Sequence, residues 1–244
     1  MPAAEFVLAC AAILAVAFLY STVGHAGASG YIAVMTLFGF SQGVIRPTAL
    51  VLNILVAAIG SLQYGKAGHF SWRLFWPFAT LSVPLAFVGG YVSLPGRWFK
   101  VLVGGILLLS AIRFLMRPAP DAEVRPPSRS LSLAVGGGLG LLAGLTGTGG
   151  GIFLTPLLIV LRWARTKTAS ATSALFILLN SVAGLGGNLS ATRSFPSFAL
   201  AFAGVAVVGG TLGSYLGSRR FDVVLIKRLL AVVLTIAGLK LVLS

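Results

Sequence analysis

The glycine-rich stretch LTGTGGGIFLTPLL (residues 145–158) separates one apolar run from the next, and it governs how the whole sequence is interpreted. Glycine adopts backbone conformations that other residues avoid, and it lets a ligand approach the backbone closely. The amides freed at the start of the following helix, with the helix dipole behind them, form an anion site. The stretch therefore predicts a broken helix with a binding role. A nucleotide-type phosphate loop is not implied, because no lysine follows the glycines.

A second break, VGHAGASGY (23–31), occurs in the first part of the chain. Each break is followed by a short apolar piece of about ten residues and then by an apolar run with a central asparagine. These asparagines are Asn53 in TALVLNILVAAIG (48–60) and Asn180 in ALFILLNSVAG (174–184), which lie 127 positions apart. The recurrence indicates an internal duplication.

The rest of the chain is a series of apolar segments. Of its 244 residues 57% are hydrophobic and 9% are charged, against about a quarter charged in a soluble domain. Repeated apolar runs of this kind predict an all-α polytopic membrane protein. The segments are 5–23, 31–40, 44–62, 72–92, 98–116, 131–146, 151–161, 168–187, 197–217 and 222–243. A proline-rich polar linker divides them into a first repeat (1–117), the linker (118–130) and a second repeat (131–244).

Five segments in each half would invert the second half relative to the first. If all ten segments cross, the positive charges divide 13 against 5 between the two sides, whereas re-entrant short segments give 10 against 8. The bias favours inverted repeats with both termini outside. Eleven helical residues rise only ~16 Å, about half of a ~30 Å hydrocarbon core. We therefore expect the short segments to be broken helices that meet inside the protein.

The charge composition narrows the function. There are 18 lysines and arginines against 4 acidic residues, a net charge of +14. Cytoplasmic loops of membrane proteins collect lysine and arginine, so the topology of the chain explains the excess of cations. A pore almost free of carboxylates also repels an anion least, which favours an anionic substrate. The acids Glu5, Asp121, Glu123 and Asp222 lie outside the centres of the apolar segments, which counts against cation transport. The dispersed cations argue against nucleic-acid binding, and a single cysteine, Cys10, makes no disulfide. We expect no cofactor, no metal site and no catalytic residue, because the histidines and acids form no convergent set.

The candidate substrate-binding residues come from the two breaks and the two central asparagines. They are Gly24, His25, Gly27, Ser29, Gly30, Asn53, Thr146, Gly147, Thr148, Gly149, Gly150, Gly151 and Asn180. The alternative for each asparagine is a structural bond across helices or to the broken backbone, since a bare amide in lipid costs several kcal/mol. A further polar set, Gln63, Thr172, Ser173 and Asn188, belongs with them.

His25 and the pair of cations Arg46 and Lys167 have two interpretations each. His25 either relays a proton, because its pKa range suits that role, or is a neutral structural residue. Arg46 and Lys167, just before the third segment of each half, either recruit an anion or simply flank a helix. The glycines of GGGLG (136–140) and Gly89/Gly90 are expected to permit close helix packing. Tryptophans at the segment edges fit an interfacial belt: Trp72, Trp76, Trp98 and Trp163.

The two-fold pattern resembles the sulfite exporter TauE/SafE family of membrane transporters. The residues that carry the resemblance are GLTGTGGGIFLTPLL (144–158), KTASATSALFILLNSVAG (167–184), STVGHAGASGYIAVMTLFG (21–39) and TALVLNILVAAIGSLQY (48–64). The resemblance implies a transporter of a small sulfur-containing anion, such as sulfite, thiosulfate or a sulfonate, in a bacterial inner membrane. It leaves an anion channel and a membrane-embedded enzyme as alternatives, and a homo-oligomer is compatible with it.

Overall fold

The structure, a computed structural model, describes residues 3–92, 108, 111–112, 121, 123–192 and 199–243. Within these residues the secondary structure is entirely helical. The helices are α1 (Ala3–Ser21), α2 (Ala28–Leu37), α3 (Gln42–Lys66), α4 (Trp72–Tyr91), α5 (Arg129–Thr146), α6 (Gly151–Val160), α7 (Thr166–Thr192), α8 (Ala199–Arg219) and α9 (Val223–Leu243). Most of the predicted segment 98–116 lies outside the described residues.

Six of the described helices, α1, α3, α4, α5, α7 and α8, are long and apolar enough to cross a membrane. Large apolar side chains cover their outer faces; Leu8 is 62% exposed and Leu200 is 70% exposed. Such a surface is stable in lipid and not in water. The chain is therefore an all-α polytopic membrane protein, as predicted, and it contacts the lipid bilayer.

The central helices are longer than their apolar runs. The predicted segment 44–62 is part of α3, and the predicted segment 168–187 is part of α7, which extends to Thr192. Thr166 and Asn188, beyond the apolar run of α7, are both buried, so polar residues continue the helix where protein surrounds it. The helix α5 begins at Arg129, inside the predicted linker, because the Ser128 side chain caps it by accepting from the Leu131 amide at 3.3 Å.

Glycines bring α5 into direct contact with α4. A Cβ atom added at Gly140 would lie 2.2 Å from the carbonyl oxygen of Ser82. Gly136 and Gly144 meet the α4 backbone in the same way, one turn before and one turn after. The expected packing role is thereby confirmed for Gly136 and Gly140 of GGGLG, whereas Gly138 of the same run has open space around it. The residue numbers rise along both helices from one contact to the next, so α4 and α5 run parallel.

Close contacts between glycines and a neighbouring helix backbone also join α1 to α8, and here the glycines belong to α8. Gly209, Gly213 and Gly217 contact the backbone of α1 at Leu14, Phe18 and Thr22 in turn. These two helices are therefore also parallel and closely packed. The contact pairs recur between the halves of the chain: α4 with α5 and α7, and α8 with α1 and α3.

The helices α3 and α7, which carry the central asparagines, pack against each other in opposite directions. Gly60 faces Ala174, the Asn53 amide reaches Ser181, and Leu50 faces Gly184. The residue number falls along one helix as it rises along the other, so the pair is antiparallel. Asn53 lies near the middle of this crossing.

The helix directions place most described cations at one end of the bundle, where α3 and α8 end and α4, α5, α7 and α9 begin. We call this the cationic end. Its cations are Lys66, Arg73, Arg125, Arg129, Arg162, Arg165, Lys167, Arg219, Arg220, Lys227 and Arg228. Arg46 lies at the opposite end. The predicted count also used Arg97, Lys100, Arg113, Arg117 and Arg193, which lie outside the described residues, as does the side chain of Lys240.

The short helices α2 and α6 both begin near the middle of the α3–α7 crossing. The Ala28 amide at the start of α2 meets the Asn53 side chain at 3.0 Å, and Gly151 at the start of α6 packs against Ile177 of α7. The helix α2 then leads to the start of α3, and α6 leads to the start of α7. Because α3 and α7 are antiparallel, the two short helices extend to opposite ends with their N-termini facing the centre.

An acidic residue of the linker anchors it at the cationic end. Asp121 accepts hydrogen bonds from the Thr166 amide at 2.9 Å and the Thr166 hydroxyl at 2.6 Å. It also pairs with the Lys227 ammonium at 3.0 Å. Burial of the Asp121 carboxyl favours its neutral form, but these hydrogen bonds and the lysine charge outweigh that effect and hold its pKa below the usual range.

Candidate functional site

The two glycine breaks, 22–27 and 147–150, approach each other in the interior. Their glycines adopt left-handed backbone conformations, with φ of +77° at Gly24, +99° at Gly27, +73° at Gly149 and +79° at Gly150. A Cβ atom at Gly24 would lie 2.4 Å from the carbonyl oxygen of Ser170 in α7. The chain thus requires glycine here for both backbone conformation and space.

Asn53 joins both breaks. Its Oδ1 accepts from the Ala28 amide at 3.0 Å, and its Nδ2 donates to the Thr148 carbonyl and to the Ser181 hydroxyl, each at 3.3 Å. The residue is fully buried, so these bonds replace the water that the amide loses. The sequence left open a structural role for Asn53. These contacts fit that role, because the side chain bonds to the broken backbone of both halves.

Asn180, the sequence equivalent of Asn53, has a different environment. Its Oδ1 accepts from the Ser82 hydroxyl at 2.5 Å. Its Nδ2 is buried and has no hydrogen-bond partner among the described residues. A buried donor of this kind costs free energy unless something binds it. Asn180 therefore keeps a buried donor without a partner among the described residues, whereas the hydrogen-bonding groups of Asn53 are already occupied.

His25 connects the first break to α6. Its Nε2 lies 3.0 Å from the Gly151 carbonyl oxygen and 2.9 Å from Thr155 Oγ1. A carbonyl only accepts hydrogen bonds, so this geometry places the proton of the neutral ring on Nε2. Nδ1 is then an acceptor, and it is buried without a partner in the described part of the chain.

The hydroxyl groups predicted to contact an anion are hydrogen-bonded within the protein. Ser29 Oγ lies 2.9 Å from the Tyr20 hydroxyl. Thr146 donates to the Leu142 carbonyl at 2.7 Å, and its oxygen lies 2.8 Å from Thr148 Oγ1. An anion would have to replace the bond between the two threonines to use Thr148 as a donor.

Arg46 binds the ends of two helices. Its guanidinium donates to carbonyls at the end of α4, at 2.8 Å to Gly89 and 3.1 Å to Gly90, and to the carbonyl of Gly144 near the end of α5. Its stem packs on Gly147, where a Cβ atom would lie 2.8 Å from Arg46 Cγ. A cation at helix C-termini is favourable, so the contacts are those of a structural cap, and recruitment of an anion stays a prediction.

Lys167 makes a comparable contact in the second half. Its Nζ lies 3.3 Å from the carbonyl oxygen of Ser218, in the last turn of α8. Arg46 and Lys167 therefore stand at opposite ends of the bundle and each binds a helix C-terminus. No described contact links Lys167 to the breaks.

The sequence did not identify several polar residues that complete the centre. Ser82, Ser181 and Thr155 bond to Asn180, Asn53 and His25 respectively. Single hydroxyl residues are common in apolar helices, where they bond to their own backbone. Their sequence context therefore gave no signal, and the tertiary contacts alone single them out. Of the additional polar set, Thr172, Ser173 and Asn188 are buried in α7, and Gln63 donates to the Thr211 carbonyl at 3.2 Å.

The matching family accounts for the recurrence of these features. The model of the sulfite exporter TauE/SafE family matches residues 9–241, which include both breaks and both central asparagines. The chain belongs to the sulfite exporter TauE/SafE family. The resemblance seen in the sequence is confirmed, and the chain is a membrane transporter of the TauE/SafE family.

Two relatives agree with membership of the TauE/SafE family. The probable membrane transporter protein y4hK of Sinorhizobium fredii is 38% identical over 235 residues, which cover 94% of this chain and 95% of the relative. The probable membrane transporter protein YunE of Bacillus subtilis is 25% identical over 220 residues, 80% of this chain and 79% of the relative. No solved structure gives a significant match.

Proposed function

We propose that this protein is a secondary transporter that moves a small sulfur-containing anion, such as sulfite, thiosulfate or an organosulfonate, across the bacterial inner membrane by alternating access. The observation that carries the proposal is that two short helices point their N-termini at one buried centre from opposite ends of the bundle. Two helix dipoles then place positive potential at a point that is distant from bulk water. The left-handed glycines of the breaks allow the two short helices to start there.

The anion would bind between the breaks, beside Asn180. The Nδ2 of Asn180, which has no partner among the described residues, supplies one donor. First-turn amides of α2 and α6 supply others, apart from those of Ala28 and Phe153, which already donate to Asn53 and Gly150. Asn53 holds both breaks in position. A sulfur oxyanion suits the site because several oxygens accept hydrogen bonds from converging donors.

Two inverted repeats, 1–117 and 131–244, would move relative to each other. The antiparallel packing of α3 and α7 about Asn53 supports the inversion, as do the matched helix pairs in the two halves. Rocking of the repeats would expose the centre to each side alternately.

His25 is positioned to couple transport to a proton. Its unpartnered Nδ1 can accept a proton while Nε2 stays bonded to the Gly151 carbonyl. The second half has no histidine, so coupling would use one half only. The test is whether an imposed pH gradient accelerates flux in the unmodified protein and leaves flux unchanged in His25→Gln.

The experiment is flux of labelled sulfite, thiosulfate and a short sulfonate into proteoliposomes. Asn180→Ala should abolish saturable flux, whereas Ser190→Ala, on the exposed side of the same helix and bonded there to the Gly186 carbonyl, should retain it. Flux of none of these anions in folded protein would reject the substrate class. Equal flux in the two variants would reject the site.

The two alternatives predict different behaviour in the same vesicles. A channel shows no counterflow. A carrier takes up labelled anion faster when the vesicles are first loaded with unlabelled anion. A membrane-embedded enzyme would convert the anion or a lipid into a product, which analysis of the vesicle contents would detect. Counterflow without turnover supports the proposed carrier.

A further inference from the structure

A groove of about 950 Å³ opens at the cationic end, away from the central site. It lies between the start of α4, the polar linker, the start of α5 and the segment that precedes α7. Its wall combines aromatic and cationic side chains: Trp72, Arg73, Trp76, Arg129, Trp163 and Arg165. The proposed transport cycle uses none of these residues.

The groove carries positive charge without compensation. Arg73, Arg129 and Arg165 come from three separate elements, and no salt bridge joins any of them to an acidic residue in the described part of the chain. The nearby carboxylate of Asp121 is committed to Thr166 and Lys227. All three arginines line one groove, and guanidinium groups bind a phosphate with paired hydrogen bonds, so the groove suits a phosphate group.

The aromatic side chains place the groove at the membrane surface. Trp72 and Trp76 are 58% and 56% exposed on the outside of α4, and their rings stack with centroids 5.7 Å apart. Tryptophan is enriched at the level of lipid headgroups. Leu81, further along the same helix, is 43% exposed, so the surface continues into the apolar region where acyl chains lie.

We propose that the groove binds the headgroup of an anionic phospholipid, with the phosphate between the three arginines and the acyl chains along the outer face of α4. Basic pockets between transmembrane helices are a known mode of lipid recognition. Arg73 belongs to the first half of the chain, and Arg129 and Arg165 belong to the second. A bound lipid therefore bridges the two halves. The proposal does not depend on which anion the protein transports.

The test measures retention of phosphatidylglycerol by the purified protein with native mass spectrometry, beside phosphatidylcholine. The groove variant combines Arg73→Gln, Arg129→Gln and Arg165→Gln. Loss of one surface arginine should weaken binding roughly fivefold, and loss of three on the order of 100-fold. Phosphatidylcholine should bind weakly to both proteins.

The matched control combines Arg219→Gln, Arg220→Gln and Arg228→Gln. It removes the same charge from the same end of the bundle, outside the groove, and should retain phosphatidylglycerol. If both triple variants lose phosphatidylglycerol equally, its binding depends only on the total positive charge at this end of the bundle. That result would overturn the proposal. Displacement of the lipid by millimolar inorganic phosphate would overturn it as well, because the site would then bind free phosphate.

A second measurement uses the unmodified protein and so does not depend on folding of the arginine variants. Phosphatidylglycerol with brominated acyl chains should quench tryptophan fluorescence more than brominated phosphatidylcholine at the same mole fraction. The difference should shrink when Trp72 and Trp76 are both replaced by phenylalanine, and it should disappear when Trp163 of the groove wall is replaced as well. Equal quenching by the two lipids in the unmodified protein would contradict the proposal.

Discussion

Substitution of the two central asparagines should separate structural from binding roles. Asn53→Ala removes three hydrogen bonds, to Ala28, Thr148 and Ser181, whereas Asn180→Ala removes one, from Ser82. Side-chain hydrogen bonds between transmembrane helices contribute about 0.6 kcal/mol on average and up to about 1.7 kcal/mol. The expected loss in free energy of unfolding is therefore roughly 2–5 kcal/mol for Asn53→Ala and about 1 kcal/mol for Asn180→Ala.

The comparison is well controlled because both variants delete the same side chain from a buried position in a central helix. Loss of packing is then similar in the two proteins, and the difference between them reports the hydrogen bonds. The assay is unfolding of both variants in one detergent, followed by circular dichroism across a denaturant series. Anion flux provides an independent readout, since Asn180→Ala should stay folded and lose transport.

Two results would refute this reasoning. If the two variants lose the same free energy of unfolding, the bonds of Asn53 to the breaks do not hold the centre together. If Asn180→Ala transports as well as the unmodified protein, its unpartnered Nδ2 does not contact the anion. Each result concerns one asparagine, so one role can fail without the other.

Two further perturbations test the break and the linker. Gly24→Ala should destabilise the protein by at least ~1–2 kcal/mol, because its φ of +77° is unfavourable for alanine and the added Cβ meets an α7 carbonyl. The measurement is thermal unfolding. The control Gly138→Ala should show no such loss, because Gly138 has open space around it. Asp121, whose pKa is lowered by its partners, should stabilise the fold above its ordinary pKa of about 4 and lose that contribution as the pH falls through the lowered value. Unfolding measured against pH should therefore show the advantage over Asp121→Asn shrinking below pH ~4, and a constant advantage would contradict the described contacts. Glu123→Gln is the matched control in the same linker.

Hydrophobic patterning made much of the fold predictable. A helix satisfies its own backbone hydrogen bonds, so a long apolar run is stable in lipid as a helix. Nine of the ten predicted segments accordingly correspond to helices in the described residues. The ends were less accurate. Thr166 and Asn188 extend α7 past its apolar run because protein surrounds them, and hydropathy does not distinguish a polar residue that faces protein from one that faces water.

The candidate site was predictable in its location and not in its details. Glycine runs mark where a helix breaks, and an asparagine within an apolar run requires a partner, so Asn53 and Asn180 were found from the sequence. Their different partners were not. Ser82 and Ser181 lie 98 and 128 residues from the asparagines that they contact, and nothing local to either serine indicates that contact.

The sequence by itself determined that this chain is a helical membrane protein with two recurring glycine breaks and a strong excess of cations. These properties follow from composition and spacing, which act on each segment separately. The tertiary structure decided which helices run antiparallel, which asparagine keeps a donor without a partner among the described residues, and that Arg46 caps the ends of two helices. Those outcomes depend on the approach of segments distant in the chain, where a few ångströms determine whether a polar atom is satisfied or available.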